Sequence, residues 1–112
     1  MKNLLPADYL TNPSRYHLID VRSDMEWEAC HDENAVHVQL TELLDSASSL
    51  PSGKSIAVIC RTGGRSARAC ELLADSGLEL YNLVGGMRAL VMARLEKGLI
   101  SGDECEKMMA RL

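Results

Sequence analysis

The segment Cys60-Arg61-Thr62-Gly63-Gly64-Arg65-Ser66 gathers a thiol, two guanidinium groups, two glycines and two hydroxyls into one short stretch. Glycines let successive backbone N–H groups turn inward, and such a run backed by a helix N-terminus forms a concave anion site. A thiol at its centre is favoured as thiolate. The field of the helix terminus and of Arg61 and Arg65 is expected to lower the Cys60 pKa from its usual value near 8.5, and only the thiolate is a strong nucleophile. The same loop can hold an oxyanion or an anionic persulfide. A lone cysteine at a strand end is more commonly a small buried hydrophobe. A merely structural turn, however, has no need of two arginines, two glycines and a pair of hydroxyls together.

The elements that must position this loop are legible in the apolar pattern. Ser55–Cys60, SIAVIC, is a nearly continuous apolar run, the pattern of a central parallel strand covered on both faces. Cys60 then closes the strand at its carboxyl end, where open parallel sheets bind ligands. A helix is expected from Ser66 to about Asp75, with Ala67, Cys70 and Leu73 or Ala74 facing inward and Gly77 as its stop. Further strands are expected at Lys2–Leu5, Tyr16–Val21, Ala35–Gln39 and Leu80–Val84. Between them, Pro6 opens a short helix to about Leu10, and the Asn12–Pro13 pair ends it. Ser23 or Asp24 caps a helix through Met25, Trp27 and Ala29, with Glu26 near its N-terminus and a stop near Cys30–His31. Thr41 is expected to cap a helix carrying Leu43, Leu44 and Ala47, before a Pro51–Ser52–Gly53 turn. Gly85–Gly86 turns into a helix from Met87 to about Glu96, ended near Gly98, and a last helix covers Asp103 to Arg111. Strands alternating with helices predict an α/β domain with a mostly parallel sheet and right-handed crossovers.

Composition narrows the possibilities further. The chain has 112 residues, the length of one domain, with 46% hydrophobic and 25% charged residues, which disfavours disorder and fibrous classes. Phe is absent and Trp27 is the single tryptophan, so the core must be aliphatic. The net charge of −4 and the scattered Lys and Arg residues argue against a nucleic-acid partner. No apolar stretch of about 18 residues is present for a membrane span, and residues 1–17 contain no signal-like run, so a cytoplasmic location is expected. Cys30, Cys60, Cys70 and Cys105 form no Cys-x-x-Cys pair, and His17, His31 and His37 show no ligand spacing; neither a metal, a cofactor nor disulfides are expected. Cys70 reads as a core hydrophobe, Cys105 as exposed, and Cys30 as a resolving thiol only if its sulfur reaches the loop mouth. Asp20 and Arg22 read as a structural pair.

Four separate segments resemble the single-domain rhodanese family of sulfurtransferases: Leu18–Arg22 (LIDVR), Glu26–His31 (EWEACH), Val58–Ala69 (VICRTGGRSARA) and Tyr81–Leu90 (YNLVGGMRAL). The resemblance runs over about residues 3–97 of a single domain 1–112, leaving 98–112 as a C-terminal extension expected to be helical. It implies a rhodanese-like fold with about five parallel strands flanked by helices on both faces. It also implies Cys60 as the catalytic nucleophile, with Arg61, Thr62, Gly63, Gly64, Arg65 and Ser66 binding the anionic substrate. Cys60 and Arg65 stand in the Cys-x4-Arg spacing of sulfurtransferases, whereas related phosphatases and arsenate reductases use Cys-x5-Arg, which counts against those activities.

By resemblance, the Cys60 thiolate takes a sulfane sulfur from a donor such as thiosulfate and passes it, as a persulfide, to cyanide or a thiol. A protein-to-protein persulfide carrier is the alternative, with a protein as sulfur donor or acceptor. Thr62 and Ser66 hydroxyls are additional donors to the bound anion, although Ser66 also fits the N-cap of the following helix. The chain departs from the family pattern at Cys30, where Gly is usual, at Asp32-Glu33-Asn34, which replaces Ile-Pro-Gly, and at Leu90, where Trp is frequent.

Overall fold

The computed structural model describes residues 2–46, 50 and 53–112. Among them five strands, β1 (Lys2–Leu4), β2 (Tyr16–Asp20), β3 (Ala35–His37), β4 (Ser55–Ile59) and β5 (Leu80–Leu83), alternate with six helices. These are α1 (Pro6–Thr11), α2 (Asp24–Ala29), α3 (Leu40–Asp45), α4 (Gly64–Leu72), α5 (Gly86–Glu96) and α6 (Gly102–Arg111). The strands form one sheet in the order β1-β5-β4-β2-β3, every neighbouring pair parallel. The expected α/β architecture is what the chain adopts.

Strand periodicity divides the core into two layers. Leu18, Ala57, Ile59 and Leu83 face one side of the sheet, where Tyr9, Met87, Leu90, Val91 and Cys105 cover them. Ile19, Ile56, Val58 and Leu80 face the other, against Leu43, Ala69, Cys70 and Leu73. β4 lies in the middle of the sheet and all five of its residues are buried, as its unbroken apolar run requires.

Several boundaries differ from expectation for local reasons. α4 begins at Gly64 rather than Ser66, because Gly63 adopts a left-handed backbone (φ +106°) that starts the helix two residues early. Ser66 therefore lies inside the helix and is not its N-cap. α3 begins at Leu40 behind Gln39, so Thr41 falls in the first turn and caps nothing. Ser23 caps α2 as expected and forms a reciprocal capping box with Glu26. Ala47, Pro51 and Ser52 of the expected third helix and turn lie outside the described residues. Cys105, expected to be exposed, is buried in the first layer, because Ile100, Met108, Met109 and Leu112 bring α6 down onto the core.

Candidate functional site

Cys60 is the first residue after β4, and its position is set from both sides. Ahead of it, the register of β2 against β4 places Asp20 beside Ile59, and the Val21 N–H donates to the Ile59 carbonyl at 3.0 Å. Behind it, the first turn of α5 donates the Met87 N–H to the Cys60 carbonyl (2.8 Å) and the Arg88 N–H to the Arg61 carbonyl (3.2 Å). Those two N–H groups are among the donors that a helix leaves unpaired at its start. This approach is possible only because residue 86 is Gly: a Cβ there would collide with the Cys60 carbonyl oxygen and lie 2.6 Å from the Arg61 carbonyl oxygen. The Gly85–Gly86 turn thus fixes the direction in which the Cys60 loop leaves the sheet.

The loop closes over the sulfur. The Gly63 N–H donates to Cys60 Sγ at 3.0 Å, and the Ser66 hydroxyl lies 3.4 Å from it. The residue as a whole is 1% exposed, so a reagent must enter through the loop. Burial is the largest single influence on the thiol and opposes ionisation. Hydrogen bonds from the Ser66 side chain and from the backbone N–H groups of Ser66, Gly63 and Thr62 together outweigh it, and they hold the Cys60 pKa below its ordinary value. The expected depression is present; its largest sources are these hydrogen bonds, and the Arg65 guanidinium is also attracted to the Cys60 charge.

The other loop residues divide between rim and floor. Arg61 and Thr62 are exposed at the rim, and among the described residues Arg61 has no acidic partner. Gly63 is buried, and Gly64 opens α4. Arg65 turns outward onto Glu26 of α2 in a two-pronged ion pair, Nη1 to Oε1 at 2.6 Å and Nη2 to Oε2 at 2.7 Å. That guanidinium holds the Glu26 carboxyl down to about 2, and burial only partly offsets it. Ser66 is fully buried, and its Oγ meets Asn82 Oδ1 at 2.5 Å and the Gly63 carbonyl at 3.1 Å.

The remaining thiols have other surroundings. Burial pushes Cys70 up to about 11, on the inner face of α4. Cys30 packs against the first layer, whereas Cys60 belongs to the second, and burial raises its pKa as well. Asp20 and Arg22 form the expected structural pair, with Nη2 2.9 Å from Oδ2 and both side chains buried. His31 and His37 each lie nearly parallel to the Trp27 ring, with centroids 3.8 and 4.9 Å away.

Two contributors escaped the sequence reading. Glu26 stands out in sequence as a charge at a helix start and as the first residue of the Glu26–His31 segment, but its capture of Arg65 spans 39 positions of chain. The sequence signal for Asn82 is a single amide side chain in the otherwise apolar and aromatic run Leu80–Val84.

The rhodanese-like domain model matches residues 6–93, and the chain belongs to that family. It is 36% identical over 73 residues to "Putative sulfurtransferase YtwF" of Bacillus subtilis, covering 65% of this chain and 71% of that protein. It is 27% identical over 82 residues to "Thiosulfate sulfurtransferase PspE" of Escherichia coli, covering 71% of this chain and 79% of that one. The crystal structure of a rhodanese-related protein from Thermoplasma volcanium superposes with a TM-score of 0.76 at 31% identity, covering 88% of this chain and 94% of that one. The fold is therefore the rhodanese fold, and the chain is a member of a sulfurtransferase family. No helix among the described residues is long and apolar enough to cross a membrane.

Proposed function

We propose that the protein transfers a sulfane sulfur through a persulfide on Cys60. The observation that carries this reading is Cys60 Sγ beneath its loop, receiving the Gly63 N–H at 3.0 Å with the Ser66 hydroxyl beside it. The thiolate attacks the outer sulfur of thiosulfate, a bond forms between the two sulfurs, and the bond to the inner sulfur breaks with its electron pair leaving on sulfite. A thiophilic acceptor, cyanide or a thiolate, then attacks the terminal sulfur and returns Cys60 to thiolate. Backbone N–H groups aimed into the loop stabilise the anionic terminal sulfur in between. Splitting the transfer in this way gives ping-pong kinetics.

Arg61 at the rim steers the small anionic donor, since Arg65 is bound to Glu26. The same commitment of Arg65 favours a second reading. With one guanidinium left to attract a free dianion, a persulfide delivered by another protein suits the site, and Cys60 then serves as a carrier between protein partners. Neither reading requires a nucleic acid, a membrane or a cofactor, and the four unpaired thiols fit a reducing, cytoplasmic setting.

Intact mass measurement of the reduced protein after brief exposure to thiosulfate tests the proposal. Wild type is expected to gain one sulfur atom, reversibly with cyanide, and Cys60→Ser to gain none. No gain in the wild type removes thiosulfate as donor. Comparing turnover of thiosulfate and cyanide with persulfide transfer from a cysteine desulfurase then separates enzyme from carrier.

A further inference from the structure

The Ser66 hydroxyl has more acceptors around it than it has hydrogens. Its single O–H faces the Asn82 carboxamide oxygen at 2.5 Å, the Gly63 carbonyl at 3.1 Å and Cys60 Sγ at 3.4 Å. If the hydrogen goes to Asn82, the sulfur receives none from Ser66. A carboxamide, however, has nearly the same shape after a half-turn that exchanges its oxygen and nitrogen. Among the described residues Asn82 Nδ2 has no acceptor of its own, so the half-turn breaks no other protein hydrogen bond. After it, Asn82 donates to Ser66 Oγ, and the Ser66 hydrogen is left with the Gly63 carbonyl and the sulfur as acceptors, of which an ionised sulfur is the stronger.

We propose that Asn82 is a positioning residue for Cys60: by donating its amide N–H to Ser66 Oγ it commits the Ser66 hydrogen to the sulfur once that sulfur is anionic. The inference rests on reading Cys60 as the nucleophile and adds the device that keeps it ready. The fold supplies the means. Asn82 pairs with Val58 in the β4–β5 register and, with Leu80, points to the α4 side of the sheet, where Ser66 descends from the first turn of that helix. Ser66 is fully buried and Asn82 is 7% exposed. Nearby charges are already paired, Arg65 with Glu26 and Arg22 with Asp20. The Ser66 side chain is also the strongest of the hydrogen-bond influences that favour the Cys60 thiolate.

The alkylation rate of Cys60 as a function of pH tests this directly, without any sulfur donor. Iodoacetamide labelling of the full chain, with the Cys60 and Cys70 peptides quantified by mass spectrometry, reads the thiolate fraction of each. Ser66→Ala and Asn82→Leu are each expected to move the Cys60 midpoint upward, lowering its thiolate fraction at neutral pH by roughly three- to tenfold. The double variant is expected to go no further than Ser66→Ala, because Asn82 acts only through Ser66. Asn82→Ala provides the same comparison with less steric demand if the leucine variant does not fold. An unchanged midpoint in the Asn82 variants, or additive shifts in the double variant, overturns the proposal. So does a midpoint that moves only together with faster labelling of Cys70, since that marks loosened packing of α4. Absence of sulfur loading in the wild type, with the expected midpoints found in the variants, would instead overturn the proposed function and leave this assignment standing.

Discussion

Asp20 and Arg22 are the two most deeply buried charged side chains among the described residues, at 0% and 1% exposure. Their burial is tolerated because each is satisfied: Asp20 Oδ1 accepts from the Arg22 backbone N–H and Nε, both at 3.0 Å, and Arg22 Nη2 donates to the Cys30 carbonyl at 2.6 Å. Arg22→Met keeps the apolar stem but strands the carboxylate. It is expected to lower the unfolding free energy by about 3–5 kcal/mol, measured by urea denaturation at neutral pH. The thiols make a second residue-scale prediction. Because Cys60 is held below its ordinary pKa while burial raises Cys30 and Cys70, its labelling by iodoacetamide should reach its plateau at lower pH than theirs. The Cys60 loop was legible in the sequence because its chemistry is local: thiol, glycines and hydroxyls sit within one turn of chain. Asn82 was not, since its role exists only once β5 pairs with β4 and brings it under Ser66.

Between elements, Glu26 serves two masters: its Oε1 accepts from the Ser23 N–H at the start of α2, and both its oxygens bind Arg65 of α4. The folded-state pKa of about 2 lies below the ordinary 4.5, so the carboxylate's contribution to stability is fully present above the unfolded value. It is lost as pH falls from about 4.5 towards about 2. The pair is partly solvated, so Glu26→Gln should cost about 0.5–1 kcal/mol at neutral pH. Urea titrations should show that difference shrinking across the acid window. The α5 turn gives a sharper test. Gly86 has φ +61° and its missing Cβ leaves room for the Cys60 carbonyl, so Gly86→Ala is expected to cost about 2–4 kcal/mol and to displace the loop. Loss of sulfur loading in the folded fraction of that variant checks the second part. The Gly-Gly signal marked a turn correctly, yet its grip on Cys60 lies about 25 residues away along the chain, beyond any local pattern. The early start of α4 was hidden for a related reason, since an N-terminal residue in the left-handed region leaves no side-chain capping signal.

At the scale of the whole molecule, the two-layer core follows from strand periodicity, and this is why the α/β order could be read from apolar runs alone. The burial of Cys105 could not, because α6 is amphipathic on its own and only its docking beside α5 decides which face is covered. If α6 unfolds with the rest, Ser101→Ala, which removes its capping box with Glu104, should lower global stability by about 1 kcal/mol. Hydrogen exchange confined to α6, with an unchanged urea midpoint, would show that the helix opens separately. Trp27 is the chain's only tryptophan, sits next to Glu26 in sequence, and stacks with two imidazole rings. The molecule therefore carries one native fluorophore, seated on the helix that grips the active loop. Its emission offers a label-free optical test of whether that helix moves when the protein is exposed to thiosulfate.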